Sequence, residues 1–145
     1  MWMDTKYEPG TVKVIAYDKD GKAVAEKVVR TAGKPHHIEL VSNRNELTAD
    51  GKDLAYVTVK IVDKDGNLCP TAANEITFKV KGKGYYRAGA NGDPTSLESF
   101  QAPHMKVFSG MMTAIVSSTE EPGKITLEAT SKGLKKATLV IESGK

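Results

Sequence analysis

The stretch LAYVTVKIV, residues 54–62, constrains the fold more than any other part of this chain. Val57, Val59 and Ile61 recur at every second position, with Thr58 and Lys60 between them. Successive side chains leave a strand on opposite sides, so this period of two predicts a β-strand with one buried face. Such a strand cannot stand alone, since its apolar face needs a cover and its two edges need partners. Residues 47–51 (LTADG) turn the chain into it, and residues 63–66 (DKDG) turn the chain out.

The same grammar repeats on both sides. Residues 11–17 (TVKVIAY) read as a strand that places Val12 and Val14 on one face and Lys13 and Ile15 on the other. An identical DKDG tetrad, residues 18–21, turns the chain into a second strand, residues 23–30. Two strands are marginal in water, so residues 1–34 read as the end of a preceding β-rich accessory domain. Its open edge should pack on the second domain or pair with another copy in a dimer. From Ile38 onward, about seven short strands follow at close spacing with turn signals between them. Ile76, Phe78 and Val80 alternate in one, Ile125, Leu127 and Ala129 in another, and Ala137, Leu139 and Ile141 in the last. Residues 107–118 read as one strand. Residues 91–105 break the pattern as a long irregular connection, in which Thr95 and Glu98 fit a capping box over a single helical turn. The fold class is all-β: an Ig-like β-sandwich over residues 35–145, preceded by a β-hairpin remnant. The Cys…Trp…Cys spacing of immunoglobulin domains is absent, so packing alone must hold it.

Composition limits the function classes. Of 145 residues, 39% are apolar and 27% charged, which is enough for a core and too apolar for wholesale disorder. The 21 basic and 18 acidic groups, net +3, are interspersed, which is a solvated surface and no nucleic-acid footprint. No run is long enough to span a bilayer, and residues 1–4 (MWMD) lack the basic and apolar regions of a signal peptide. Cys69 stands alone, so no internal disulfide forms; a small buried side chain is its simplest reading.

Candidate chemistry is sparse. The DKDG turns lack the further oxygen ligands of a calcium loop, with Val29 and Asn74 at the late positions where a glutamate is needed. His36, His37 and His104 do not complete a metal set, since neighbours on a strand point apart. Asp93, Glu98, Glu120 and Glu121 lie on loops, with nothing to hold two of them across a sugar as glycoside hydrolysis requires. No metal, cofactor or catalytic residue is therefore expected in this chain. Tyr85, Tyr86 and Arg87 are the best binding candidates, because one of two adjacent strand tyrosines must face outward and an exposed ring can stack on a sugar. Residues 107–112 (VFSGMM), with Phe100 and Met105, form an apolar group that suits a core or a domain interface.

At residues 91–118 the sequence becomes specific. NGDPTSLESFQAPHMKVFSGMMTAIVSS, followed by GKITLEATSKGL, resembles the C-terminal Ig-like domain of bacterial glycoside hydrolase family 2 enzymes of the β-galactosidase type. Asn91, Gly92, Asp93, Pro94, Glu98 and Phe100 carry the most specific part. The earlier LTADGKDLAYVTVKIVDKDGNLCPTAANEITFKVKG is similar to the first part of the same module. YEPGTVKVIAYDKDGKAVAEKVVRTAGKP looks like the end of the domain before it. One departure is Leu97, where such modules often carry histidine. The resemblance implies a non-catalytic accessory domain that supports the catalytic region of a parent hydrolysing β-galactosides or related glycans. The family's catalytic glutamates belong to an upstream barrel, and no position here matches their motifs. It also implies other domains of the parent as partners and a periplasmic or secreted location. Two alternatives stay open: a carbohydrate-binding module, with glycans as partners, and an Ig-like repeat of a bacterial surface adhesin.

Overall fold

The computed structural model describes residues 6–145, so the opening residues 1–4, read above against a signal peptide, lie outside the described residues. The chain divides into two compact units, one up to Ala32 and one from Gly33. The described residues contain strands and turns and no helix, and hence no helix long and apolar enough to cross a membrane.

The first unit is a two-stranded antiparallel ribbon, β1 (Thr11–Tyr17) and β2 (Ala23–Arg30). Its turn is closed by Asp18, whose carboxylate accepts the Asp20 and Lys22 amides at 2.9 Å each. Val12, Val14, Val24 and Val29 remain exposed, because the unit has no second layer to cover them.

The second unit is a β-sandwich. β3 (His37–Ser42), β5 (Leu54–Val62), β9 (Met111–Ser118) and β7 (Gly84–Ala90) form a four-stranded antiparallel sheet in that order. β4 (Glu46–Thr48), β11 (Ala137–Gly144), β10 (Gly123–Thr130), β6 (Glu75–Gly82) and β8 (His104–Lys106) form a five-stranded sheet. The inner face of β5 is closed to solvent, with Ala55, Val57, Val59 and Ile61 all fully buried. Ile76 and Phe78 of β6, Met112, Ala114 and Val116 of β9, and Ile125 and Leu127 of β10 fill the rest of the core. Each such aliphatic side chain contributes about 1.5–3 kcal/mol of transfer free energy, the dominant stabilising term in a fold without disulfides.

The seven strands expected from Ile38 onward are present, and two short ones join them. β4 lies where the sequence suggested only a turn; it pairs in parallel with the far end of β11, Leu47 opposite Ser143. Three residues are too few to show a period, so alternation could not reveal it. β8 lies at the end of the irregular connection and pairs Met105 with Ile76, burying Met105 completely. The stretch read as one strand over residues 107–118 is also divided. Ser109 and Gly110 both have positive φ, 51° and 75°, and Phe108 and Met111 exchange backbone hydrogen bonds at 3.0 Å. That is a primed two-residue turn hidden inside an apolar run, and β9 begins only after it.

The passage from one sheet to the other is equally tight. β6 ends at Gly82 and β7 starts at Gly84, so a single residue carries the chain across the sandwich. A Cβ on Gly82 would collide with the Lys124 carbonyl, and one on Gly84 would sit 2.7 Å from the Ser117 carbonyl. Glycine at both positions is a steric requirement.

Candidate functional site

The connection between β7 and β8, residues 91–103, spans the open flank of the sandwich and is tied to both sheets. The Gly89 amide of β7 donates to the Phe100 carbonyl at 2.7 Å, and the Phe78 amide of β6 donates to the Pro103 carbonyl at 2.8 Å. Asn91 accepts the Asp93 amide at 3.0 Å and donates from Nδ2 to the Lys106 carbonyl at 3.0 Å. Asp93 accepts both the amide and the hydroxyl of Thr95, at 2.8 and 2.7 Å. The amide donated by Thr95, ahead of its hydroxyl, holds the Asp93 carboxyl below the usual carboxylate range. Glu98 accepts the Lys106 amide with both oxygens, at 3.2 and 3.4 Å.

This network replaces the expected helical turn. In a capping box the Thr95 hydroxyl would accept the Glu98 amide. Here that amide donates to Ser96 Oγ at 3.3 Å, and Thr95 is turned back onto Asp93. The acidic and amide side chains of the loop thus act on its own backbone. Leu97 is left fully exposed and Phe100 mostly so, while Gly92 and Pro94 lie at the surface between Asn91 and Thr95.

The binding candidates on β7 do not form one platform. Tyr85 faces outward, 40% exposed, with its hydroxyl 3.5 Å from the Gly51 carbonyl. Tyr86 turns between the sheets and stacks on Phe78, centroids 5.3 Å apart. Its hydroxyl is buried without a hydrogen-bond partner, and burial pushes its pKa up to about 12. Arg87 is the extra residue of a β-bulge: Tyr86 pairs with Val116 and Ala88 with Ile115, leaving Arg87 without an opposite number. Tyr56, passed over in the sequence, shares the outer face with Tyr85 and is 46% exposed. The alternation of β5 could have found it, because Val57 and Val59 inward require Tyr56 outward.

The other titratable groups are similarly engaged. Asp63 is buried and accepts the Gly33 amide at 2.7 Å and the Asp65 and Asn67 amides at 2.9 Å. The Gly33 amide first, then the Asn67 side chain, holds its carboxyl well below the usual range. Its turn reproduces the Asp18 geometry, with the carboxylate accepting amides two and four residues on, so both DKDG carboxylates serve turns. His36 and His37 do not point apart as strand neighbours would, since His36 precedes β3; their Nδ1 atoms lie 3.0 Å from each other. Among the described residues, no group of three His, Cys, Asp or Glu is placed to hold a metal ion. Glu121 pairs with Lys83, and Glu120 lies over Gly51. Cys69 is buried, and burial followed by the Asp63 charge pushes its thiol pKa up. A shallow recess of about 380 Å³ beside β4 is lined by Arg44, Glu46, Asp53 and Glu142, but Arg44 and Asp53 satisfy each other.

The pattern of glycoside hydrolase family 2 C-terminal domain 5 matches residues 38–140, and that of a domain of unknown function (DUF4982) matches residues 1–25. The chain is 49% identical over 138 residues to the β-galactosidase BoGH2A of Bacteroides ovatus, covering 95% of this chain and 16% of that enzyme. It is 38% identical over 112 residues to a β-galactosidase of Thermoanaerobacter pseudethanolicus, covering 77% of this chain and 13% of that protein. The crystal structure of a β-glycosidase from Bacteroides vulgatus superposes with a TM-score of 0.89 at 34% identity, over 94% of this chain and 18% of that one. The chain thus spans 13–16% of the length of these curated relatives. A match over residues 38–140 takes in most of the sandwich, from β3 to the middle of β11. The chain belongs to the glycoside hydrolase family 2 C-terminal domain 5 family.

Proposed function

We propose that this chain is the accessory C-terminal part of a longer family 2 glycosidase of the β-galactosidase type, whose catalytic carboxylates lie outside it. The observation that carries this is the 49% identity to a β-galactosidase across 95% of the chain, combined with coverage of only 16% of that enzyme. The chemistry within the chain supports it. Hydrolysis needs two carboxyl groups about 5–10 Å apart across a sugar. Asp93, Glu98 and Asp63 instead spend their oxygens on backbone amides, of Thr95, Lys106 and Gly33 respectively. The role left to the domain is mechanical: a rigid sandwich that supports or extends the catalytic region. The ribbon of β1 and β2 is then the last part of the preceding domain, which supplies the missing layer over its exposed valines.

The test is activity on a chromogenic β-galactoside. The longer polypeptide that carries these residues should hydrolyse it, and the purified 145-residue chain should not. Hydrolysis by the short chain, or none by the long one, would overturn the reading.

A further inference from the structure

The two outer faces of the sandwich differ in a way that core packing does not require. The five-stranded sheet shows water a charged surface: Lys79 lies opposite Glu128, Lys124 opposite Glu142, and Lys81 bonds Glu128 at 2.7 Å. The four-stranded sheet breaks this rule. Across its strands the rows on the outer side of the register read Tyr85–Ser117–Leu54, with Ser117 itself buried, then Ala88–Ile115–Tyr56, then Ala90–Thr113–Thr58–Val41. None of these positions carries a charge. Charge returns at the margins, in the Lys60–Glu39 pair at 3.5 Å one row further along, in Arg87 at the bulge, and in Arg44, which bonds the Leu54 carbonyl at 3.0 Å and pairs with Asp53. Antiparallel sheets with one solvated face normally alternate apolar-in with polar-out. Here Val41, Tyr56 and Tyr85 are each about two-fifths exposed, with Ile115 half-buried among them.

We propose that this outer face, centred on Tyr56, Ile115 and Tyr85, docks against another domain of the same polypeptide. The inference rests on the reading of the chain as part of a longer enzyme. Three observations choose this occupant. The patch is depleted of charge and holds two tyrosines among aliphatic side chains, the composition of a protein interface core. Its size is intermediate. Ten positions in rows about 6.8 Å apart, on strands about 4.8 Å apart, cover roughly 330 Å². A free dimer of standard size needs about 800 Å² from each partner. Domains joined in one chain associate through about 300–750 Å² per side, because the covalent link already holds them together. Finally, relatives carry more than four-fifths of their length outside the region this chain matches, so neighbouring domains are present in them. The complementary surface should be equally poor in charge, since a lysine or carboxylate set against these rows would be desolvated without a partner.

Hydroxyl-radical footprinting tests the proposal on the 145-residue chain and on the longer enzyme side by side. Tyr56 and Tyr85 should be oxidised at least about tenfold more slowly in the longer enzyme, as expected for full burial in an interface. His104 on the five-stranded face should label equally in both, and Tyr86, half-buried with its hydroxyl closed to solvent, should label more slowly than Tyr85 in the short chain and so report that it is folded. A double variant, Tyr56→Lys with Tyr85→Lys, should leave the melting temperature of the short chain unchanged and speed proteolytic release of the domain from the enzyme. Equal tyrosine oxidation in a longer enzyme that still cleaves β-galactosides would overturn the docking and leave the functional reading intact. A longer polypeptide without glycosidase activity would defeat the functional reading, whatever the tyrosines report. Protection in the short chain that grows with concentration and doubles the mass would reassign the face to a second copy. Protection by an oligogalactoside would reassign it to sugar.

Discussion

Tyr86 shows what a single side chain contributes here. Its ring fills space between the sheets against Phe78, while its hydroxyl is buried without a partner. Gly89 leaves the room, because a Cβ there would collide with that hydroxyl. An unpaired buried hydroxyl loses its water without compensation. Tyr86→Phe should therefore stabilise the chain by about 1 kcal/mol, read by urea denaturation with an unchanged slope. Asp63 is the opposite case, a buried carboxylate whose oxygens are fully used by amide donors. Its folded pKa is depressed, so the unfolded chain binds its proton more readily. The stability it adds is complete above about pH 4, the ordinary aspartate value, and is lost as pH falls towards the folded value. In a melting series from neutral to strongly acidic pH, Asp63→Asn should be less stable than the parent at neutrality. Its curve should also be flatter on the acid side. Parallel curves would show that the amide donors do not hold the charge.

At the scale of the element, the strands and the Asp-Lys-Asp-Gly turns between them were legible, and the reversal inside an apolar run was not. The period of two in β5, β6 and β10 survives because both neighbours and a facing layer act on every second residue. The Ser109–Gly110 reversal escaped because its flanks, Val107, Phe108, Met111 and Met112, are all apolar and look like one continuous strand. The 91–103 loop was visible as an interruption, and its carboxylates were legible as unsuited to hydrolysis but not as ties within the fold. Only the structure shows Asn91 and Asp93 turned onto the loop's own amides and Glu98 onto the Lys106 amide of β8. Such reciprocal bonds depend on a fold that side-chain identity does not encode. The aromatic pair was half legible, since alternation separates Tyr85 from Tyr86 but cannot place the bulge at Arg87. The hidden reversal has a measurable signature. Gly110 has φ 75°, and a Cβ there would run into the Cys69 carbonyl. Its amide and carbonyl also bond Ala72 and Ile61. Gly110→Ala should cost about 2–3 kcal/mol in denaturant unfolding, from strain combined with a displaced backbone contact. A loss below about 0.5 kcal/mol, the range of an ordinary surface change, would contradict this account.

For the whole molecule, the two units differ in self-sufficiency. The sandwich closes its own core, whereas the ribbon leaves valines on its surface. Amide exchange across β1 and β2 should accordingly be at least about tenfold slower in the longer enzyme than in the 145-residue chain, while β5 changes little. Equal rates in both would mean the ribbon needs no further layer. The parallel pairing of β4 with β11 has a different consequence, one of timing. Glu46 pairs with Glu142, so an early segment of the sandwich waits for a very late one. Contacts so distant in sequence slow folding, because the intervening loop must close before its pairing is rewarded. On the ribosome, the sandwich cannot complete its five-stranded sheet until residues 137–144 have emerged. In a longer enzyme translated from its N-terminus, the upstream domains have then had time to fold first. This domain would then close onto a surface already formed.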